Sequence, residues 1–153
     1  MTIRTCRGCG QSNRVPLDKL ADTGRCGACK ADLAPLDEPL DVDPDAFRQI
    51  VTSAKVPVLV DFWAAWCAPC RMATPHVKRV ARELAGRAIV VKVDTQQHAD
   101  LASVFHVRAI PAFAVLVNGD VVLQQSGLVD HQQLRRWVED AAAQASAGRQ
   151  KGA

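Results

Sequence analysis

The chain has 153 residues, 48% of them apolar, and 19 Lys/Arg against 16 Asp/Glu leave a formal charge of +3. That length suits one ordinary domain plus a small appendage, and the charge is too mild to call for a nucleic-acid or membrane partner. No stretch approaches the roughly 20 apolar residues of a membrane span, and the start, Met1 to Cys6, lacks the apolar core of a secretory signal, so the expected location is the cytoplasm.

Residues 1–36 are loop-rich, with Gly8, Gly10, Gly24 and Gly27 and few large apolar side chains. A piece of this kind cannot bury enough surface to fold without a staple. Residues 37–43 are acidic and contain Pro39, which suits a linker or first-strand region. Asp43-Pro44 then reads as a helix start, with Asp as N-cap and Pro at the first helical position. From there a main domain is expected over residues 44–145.

Within it, Val56 to Trp63 predicts a buried strand interrupted by one carboxylate, Asp61. Residues 67–85 predict a helix with Met72, Val77, Val80, Ala81 and Leu84 on or near its inner face, ended by Gly86. A second buried strand covers Ala88 to Asp94, and a short helix follows from His98 to about Phe105 through Leu101, Val104 and Phe105. Asn118-Gly119 between Ala112–Val117 and Val121–Gln125 is a type I′ hairpin signal. Asp130 with Gln133 resembles a capping box opening a last helix through Leu134, Trp137 and Val138. Residues 146–153 are small and basic, and disorder is expected there. Helices alternating with strands before a late hairpin predict an α/β fold: a mixed central sheet with helices on both faces.

All six cysteines fall into Cys-x-x-Cys pairs, at 6/9, 26/29 and 67/70. In a reducing compartment such pairs are metal knuckles or redox motifs more often than staples. Only Cys67/Cys70 has a strand before it and a helix after it. At the mouth of a helix the Cys67 sulfur lies near unpaired N–H groups and the positive dipole end, which favour thiolate. Cys70, three residues on, is expected deeper and further from solvent. These roles follow: Cys67 attacks a substrate disulfide, and Cys70 resolves the mixed disulfide. Pro69 suits the helix start and restrains the ring the two sulfurs close.

Asp61, set among Val, Leu, Phe and Trp, is expected to be desolvated with a raised pKa, and could take the proton that Cys70 must lose. Lys92 on the next strand could modulate it. Ile110-Pro111 directly precedes a strand, where proline needs a special reason. A cis bond facing the cysteines and an ordinary trans turn both satisfy that position.

Residues 40–145 resemble the thioredoxin family. The resemblance rests on Asp61-Phe62-Trp63-Ala64, Trp66-Cys67-Ala68-Pro69-Cys70, Met72, Pro75, Lys92-Val93-Asp94, Ile110-Pro111, Asn118-Gly119 and Gly127. It implies a thioredoxin fold, a cis Pro111, Asp61 as the buried base and Pro75 as a kink in the helix after the cysteines. It also implies a substrate surface shaped by Trp63, Trp66, Ile110, Pro111 and Gly127 beside Ala68 and Pro69. The implied activity is protein-disulfide reduction through a redox-active Cys67–Cys70 disulfide. An NADPH-dependent flavoprotein thioredoxin reductase would be the electron donor. No organic cofactor is expected on this chain, which lacks a Gly-x-Gly-x-x-Gly fingerprint. Ala68 departs from the glycine most common in the family and is expected to stiffen the first helical turn.

Cys6-x-x-Cys9, sixteen residues, then Cys26-x-x-Cys29 is the spacing of a four-thiolate zinc site. Two more redox pairs or a disulfide framework would share that spacing, but a Gly-rich piece this short needs a staple that a reducing compartment tolerates. Gly10 and Gly27 are expected to leave N–H groups free for the sulfurs, and Arg4, Arg7, Arg25 and Lys30 to moderate the excess negative charge. Residues 1–36 hold six Lys/Arg and three Asp/Glu, a surplus too small to argue for nucleic acid. A zinc ribbon ahead of this domain resembles the thioredoxin-2 type, including the stretch from Gln11 to Pro16. One structural zinc is implied, with the ribbon serving either docking or redox sensing.

His76, His98, His106 and His131 show no metal-ligand spacing, and Arg71 is a candidate for tuning the thiolate. The expected assembly is a monomer acting on disulfide-containing proteins. A non-catalytic binding module of the same fold would be expected to lack one of the two cysteines. A zinc-ribbon nucleic-acid binder would be expected to bind DNA at low salt.

Overall fold

The computed structural model describes residues 2–151, with side chains through residue 145. The N-terminal piece is two small antiparallel hairpins: β1 (Thr2–Thr5) with β2 (Ser12–Val15), and β3 (Gly24–Arg25) with β4 (Asp32–Leu33). Each hairpin turns through one cysteine pair. The Gly10 N–H donates to the Cys6 carbonyl at 2.9 Å, and the Lys30 N–H to the Cys26 carbonyl at 3.0 Å. Gly10 (φ 79°) and Lys30 (φ 65°) occupy the same left-handed position in the two turns.

This piece is not a free appendage. Leu17 and Leu20, around a 3₁₀ turn at Leu17–Lys19, and Leu36 are buried in one cluster with Phe47, Ile50 and Val51. The Leu36 N–H also donates to the Leu20 carbonyl at 2.8 Å. Burying three leucines contributes about 1.5–3 kcal/mol each, before ordering costs.

The main sheet has the order β5-β7-β6-β8-β9. Its members are β5 (Leu40–Asp41), β6 (Val58–Trp63), β7 (Ile89–Asp94), β8 (Ala112–Val117) and β9 (Asp120–Ser126). β5, β7 and β6 run parallel, while β8 and β9 add antiparallel strands. The helices are α1 (Pro44–Ser53), α2 (Ala68–Glu83), α3 (Ala99–Val104) and α4 (His131–Lys151). Asp43 caps α1 by accepting the Ala46 N–H at 2.7 Å, and Asp130 accepts the Gln133 N–H at 2.9 Å at the start of α4. Asn118 (φ 54°) and Gly119 (φ 82°) form the hairpin turn, both left-handed as a type I′ turn requires. α4 continues to Lys151, past the point where disorder was expected to begin, and residues 152–153 of that segment lie outside the described residues.

Side chains alternate across each strand. Val58, Val60 and Phe62 face α1 and α3, with Ile89, Val91 and Val93 beside them. Leu59 and Val90 face α2 and α4, packing with Ala73, Val77, Leu84, Leu134 and Trp137. That alternation puts Asp61 and Lys92 on the α2 face.

Two inward assignments are corrected. Met72 is 61% exposed and Val104 is 70% exposed. The buried stripe of α2 is Cys70, Ala73, Val77, Val80 and Ala81. Met72 lies two residues from Cys70, about 200° around the helix, so it points away.

Candidate active site and cysteine cluster

Cys67 is the N-cap of α2, and its Sγ accepts the Cys70 N–H at 3.2 Å. Ala68 and Pro69 fill the first helical positions, where a missing N–H costs nothing. Cys67 and Cys70 are joined as a disulfide with Cα atoms 5.3 Å apart. Both residues are 3% exposed, so the expected difference in depth is not found. What distinguishes them is the helix end: the N–H contact is made to Cys67. Arg71 donates to the Ala65 carbonyl at 2.8 Å and so braces the loop before the helix.

The disulfide sits in a small apolar cluster with Ala64, Trp63 and Ile110. The Ile110–Pro111 peptide is cis. Cys67 Sγ lies 3.8 Å from the Ile110 carbonyl oxygen, and the Gly127 N–H donates to the Pro111 carbonyl at 2.8 Å. Trp66, 65% exposed, and Met72 provide apolar surface.

Asp61 is 2% exposed, and its Oδ1 has no hydrogen-bond partner among the described residues. Burial pushes its carboxyl from the usual 3.8 up to about 7; the Lys92 charge opposes the shift, and Asp41 adds to it. Lys92 is opposite Asp61 in the β6–β7 register, with its Nζ 4.4 Å from the centroid of the Trp63 ring. The Trp63 Nε1 is likewise buried without a partner.

The four remaining cysteines converge: the Sγ atoms of Cys6, Cys9, Cys26 and Cys29 all lie within 4.8 Å of one another. The Cys6–Cys29 and Cys9–Cys26 sulfurs are each 3.7 Å apart. A tetrahedral zinc with Zn–S bonds of about 2.3 Å needs sulfurs about 3.8 Å apart, so the donor set fits that ion. The Gly8 N–H donates to Cys6 Sγ at 3.3 Å, and the Ala28 N–H to Cys26 Sγ at 3.4 Å. Backbone N–H groups of Cys29 and Ala28 draw the Cys26 thiol down to about 6, in the sense that favours a thiolate ligand.

Two expectations here are corrected. The N–H donors are Gly8 and Ala28; the Gly27 N–H goes to Asn13 Oδ1 at 3.0 Å, and the same Asn13 donates through Nδ2 to Cys26 Sγ at 3.6 Å. Of the four nearby cations, Arg4 and Arg7 turn to Asp37, at 3.6 and 2.5 Å, and Lys30 Nζ donates to the Gly27 carbonyl at 2.8 Å.

Residues 38–140 match the family model described as Thioredoxin. Thioredoxin C-3 of Corynebacterium nephridii is 35% identical over 142 residues, which cover 93% of this chain and 97% of that protein. The chain belongs to the thioredoxin family. Residues 5–31 match the model described as Thioredoxin 2, N-terminal, a zinc ribbon domain. Thioredoxin 1 of Chlorobaculum tepidum is 43% identical over 89 residues, covering 58% of this chain and 88% of that one. An asparagine-to-glutamine variant of thioredoxin from Halobacterium salinarum superposes with a TM-score of 0.67 at 32% identity, over 72% of this chain and 96% of that one.

As a thioredoxin, the chain is a protein-disulfide oxidoreductase, and the Cys67–Cys70 disulfide fits the oxidised state of its dithiol. Thioredoxins act on protein disulfides and are re-reduced by a thioredoxin reductase. No helix among the described residues is long and apolar enough to cross a membrane.

One pairing in this thioredoxin had no signal in the sequence. His76 on α2 and His131 at the start of α4 stack with ring centroids 5.4 Å apart and Nδ1 atoms 3.2 Å apart. The His131 N–H donates to His76 Nδ1 at 3.1 Å. Fifty-five positions separate them, and only the packing of α2 against α4 brings them together.

Proposed function

We propose that this thioredoxin reduces protein disulfides with Cys67 as nucleophile, Cys70 as resolving thiol and Asp61 as the proton acceptor for Cys70. The observation that carries this reading is a disulfide at a helix N-terminus with a buried, unpartnered carboxylate on the sheet face that the same helix covers. In the reduced protein the Cys67 thiolate, favoured by the Cys70 N–H and the helix dipole, attacks one sulfur of the substrate disulfide and expels the other as a thiolate. Asp61, when ionised, takes the Cys70 proton. The Cys70 sulfur then attacks Cys67 in the mixed disulfide and releases the second substrate sulfur as a thiolate. Two electrons pass to the substrate, and the chain ends as the Cys67–Cys70 disulfide.

Lys92 lowers the cost of ionising Asp61 without a contact that would hold it ionised. The exposed Trp66, the cis Ile110–Pro111 peptide, Gly127 and the first-turn residues Ala68 and Pro69 border the disulfide and form the surface an extended substrate segment would meet. An NADPH-dependent flavoprotein reductase closes the cycle. Cys6, Cys9, Cys26 and Cys29 hold one zinc ion, which supplies four cross-links to a piece whose own core among the described residues is Cys6, Cys26 and Leu33 with Val15 packed against them. The reading places the protein in the cytoplasm as a monomer.

Insulin-disulfide reduction by wild type and Cys67→Ser tests the central role. Cys67→Ser is expected to lose essentially all turnover, and equal activity would overturn the assignment.

A further inference from the structure

A cavity of about 480 Å³ lies behind the active site, on the α2 face of the sheet. Asp61 and Thr74 line its inner part, and Thr74 Oγ1 donates to the Cys70 carbonyl at 3.2 Å. Arg7 and Asp37 line it too, and these belong to the ribbon and its tether. Asp61 and one residue of the first knuckle, Arg7, therefore line the same compartment.

We propose that Arg7 and Asp37 are positioning residues for the thioredoxin reaction: the ribbon walls the compartment through which Asp61 exchanges its proton with solvent, and keeps it narrow. This rests on the reading of Asp61 as proton acceptor.

The wall is set by the backbone of the first knuckle and by Asp37, while the Arg7 side chain is itself 80% exposed. Arg7 sits between the first two cysteines, in a turn fixed by the Gly8 N–H on Cys6 Sγ and the Gly10 N–H on the Cys6 carbonyl. Asp37 is held twice, by Arg7 at 2.5 Å and by Arg4 at 3.6 Å, and Arg4 also donates to the Pro35 carbonyl at 3.3 Å. The first hairpin thus clamps residues 35–37, just ahead of β5. Asp61 lines the compartment, and its Oδ1 is buried with no hydrogen-bond partner among the described residues. With no side chain hydrogen-bonded to that oxygen among the described residues, a proton gained by Asp61 would leave by way of water. The volume is ample for several waters, at about 30 Å³ each.

The charges facing Asp61 give the sign of any change. β7 contributes Lys92, α2 contributes Lys78 and Arg82, and the ribbon contributes Arg7. Against them stand Asp41 on β5 and Asp37 and Glu38 on the tether. Asp37→Ala removes an anion, frees Arg7 and widens the mouth. A more positive field and better hydration both favour the carboxylate, so Asp61 should ionise at lower pH. Arg7→Ala is a poorer probe, because lost positive charge and gained water act in opposite directions.

The experiment follows the Asp61 carboxyl carbon by NMR through a pH titration of the full-length, zinc-loaded, reduced chain. Wild type is compared with Asp37→Ala and with Arg14→Ala, an exposed ribbon cation outside this cavity. The Asp61 midpoint is expected to fall by about half a unit or more in Asp37→Ala and to stay in place in Arg14→Ala. The pH profile of mixed-disulfide resolution should move with it, an acceleration of about threefold well below the midpoint. An unmoved midpoint in folded, zinc-replete Asp37→Ala overturns the proposal. Should that variant fail to fold, Asp37→Asn keeps the shape and removes the charge; it must shift the midpoint in the same direction, and no shift overturns the proposal. A midpoint that falls as far in Asp37→Asn as in Asp37→Ala assigns the whole effect to the charge of Asp37 and overturns the wall, and a shifted midpoint with an unshifted rate profile rejects Asp61 as the acceptor.

Discussion

The Cys67–Cys70 pair and the two ribbon pairs begin with the same local structure. In each, the N–H four residues after the first cysteine returns to that cysteine's carbonyl: Gly10 to Cys6, Lys30 to Cys26 and Arg71 to Cys67. In each, the first sulfur also accepts a backbone N–H from within the pair, from Gly8, Ala28 or Cys70. The difference lies at the fourth residue. Gly10 and Lys30 turn left-handed and send the chain back as a strand, whereas Arg71 continues into a helix of 16 residues. The sulfurs follow the backbone. In the ribbon the 3.7 Å contacts run between pairs, Cys6 to Cys29 and Cys9 to Cys26. At the helix the partner is within the pair. A cation then has four donors in one place and two electrons have two sulfurs in another.

Removing one ribbon sulfur should break this contrast most strongly. Cys26→Ser leaves three thiolates in a piece that depends on four cross-links, and structural zinc contributes on the order of 10 kcal/mol in small modules. The variant is expected to lose stoichiometric zinc and most hydrogen-exchange protection in residues 2–33, while still turning over insulin. Zinc retained at one per chain would show that the ribbon holds its ion differently. Complete loss of turnover would show that the two chemistries are not separable.

The architecture was legible because its signals are local: Asp43 before Pro44, Asn118-Gly119 between strands, and continuous apolar runs in β6 and β7. The reactive pair was legible for the same reason. What was not legible depends on helix phase or long-range packing. Met72 and Val104 are apolar, yet each falls off the buried stripe of its helix. The equal burial of Cys67 and Cys70 comes from Ile110 and Trp63 closing over both, which no spacing reveals. The His76–His131 stack needs α2 against α4, and the Arg7–Asp37 pair needs the ribbon docked through Leu17, Leu20 and Leu36. The N–H donors Gly8 and Ala28 are not legible either, because sequence shows where backbone is free to move but not which N–H faces a sulfur.

A second, smaller effect concerns a feature the ribbon does not share: a buried acid beneath the dithiol. Asp61 titrates near 7 in the folded chain and near 3.8 when unfolded, so the folded state binds more protons between those values. The stability this gives is fully present below about pH 4 and is lost as pH rises through 7. Replacing Asp61 with Asn removes the dependence. Asp61→Asn is expected to be more stable than wild type at pH 8, by about 4 kcal/mol at most, from three pH units at about 1.4 kcal/mol each. The gain should vanish near pH 4. Urea unfolding of both proteins at the two pH values checks it, and a difference that is the same at both would mean that Asp61 is not held against ionisation. The same variant should lose the inflection near pH 7 in mixed-disulfide resolution.

The smallest effect probes the fourth residue itself. Gly10 has φ +79°, and a Cβ built there meets nothing within 4 Å. Any cost of Gly10→Ala is therefore conformational, about 1–2 kcal/mol for an L-residue in the left-handed region. Lys30 already bears that cost at the matching position of the second turn, so Lys30→Gly should return a similar amount. The two substitutions should move the zinc affinity of the ribbon in opposite directions, each by about tenfold for 1.4 kcal/mol, and leave insulin turnover unchanged. Competition with a chromophoric chelator measures both. If Gly10→Ala binds zinc as tightly as wild type, the left-handed fourth residue is a consequence of the knuckle and not what separates it from the helix.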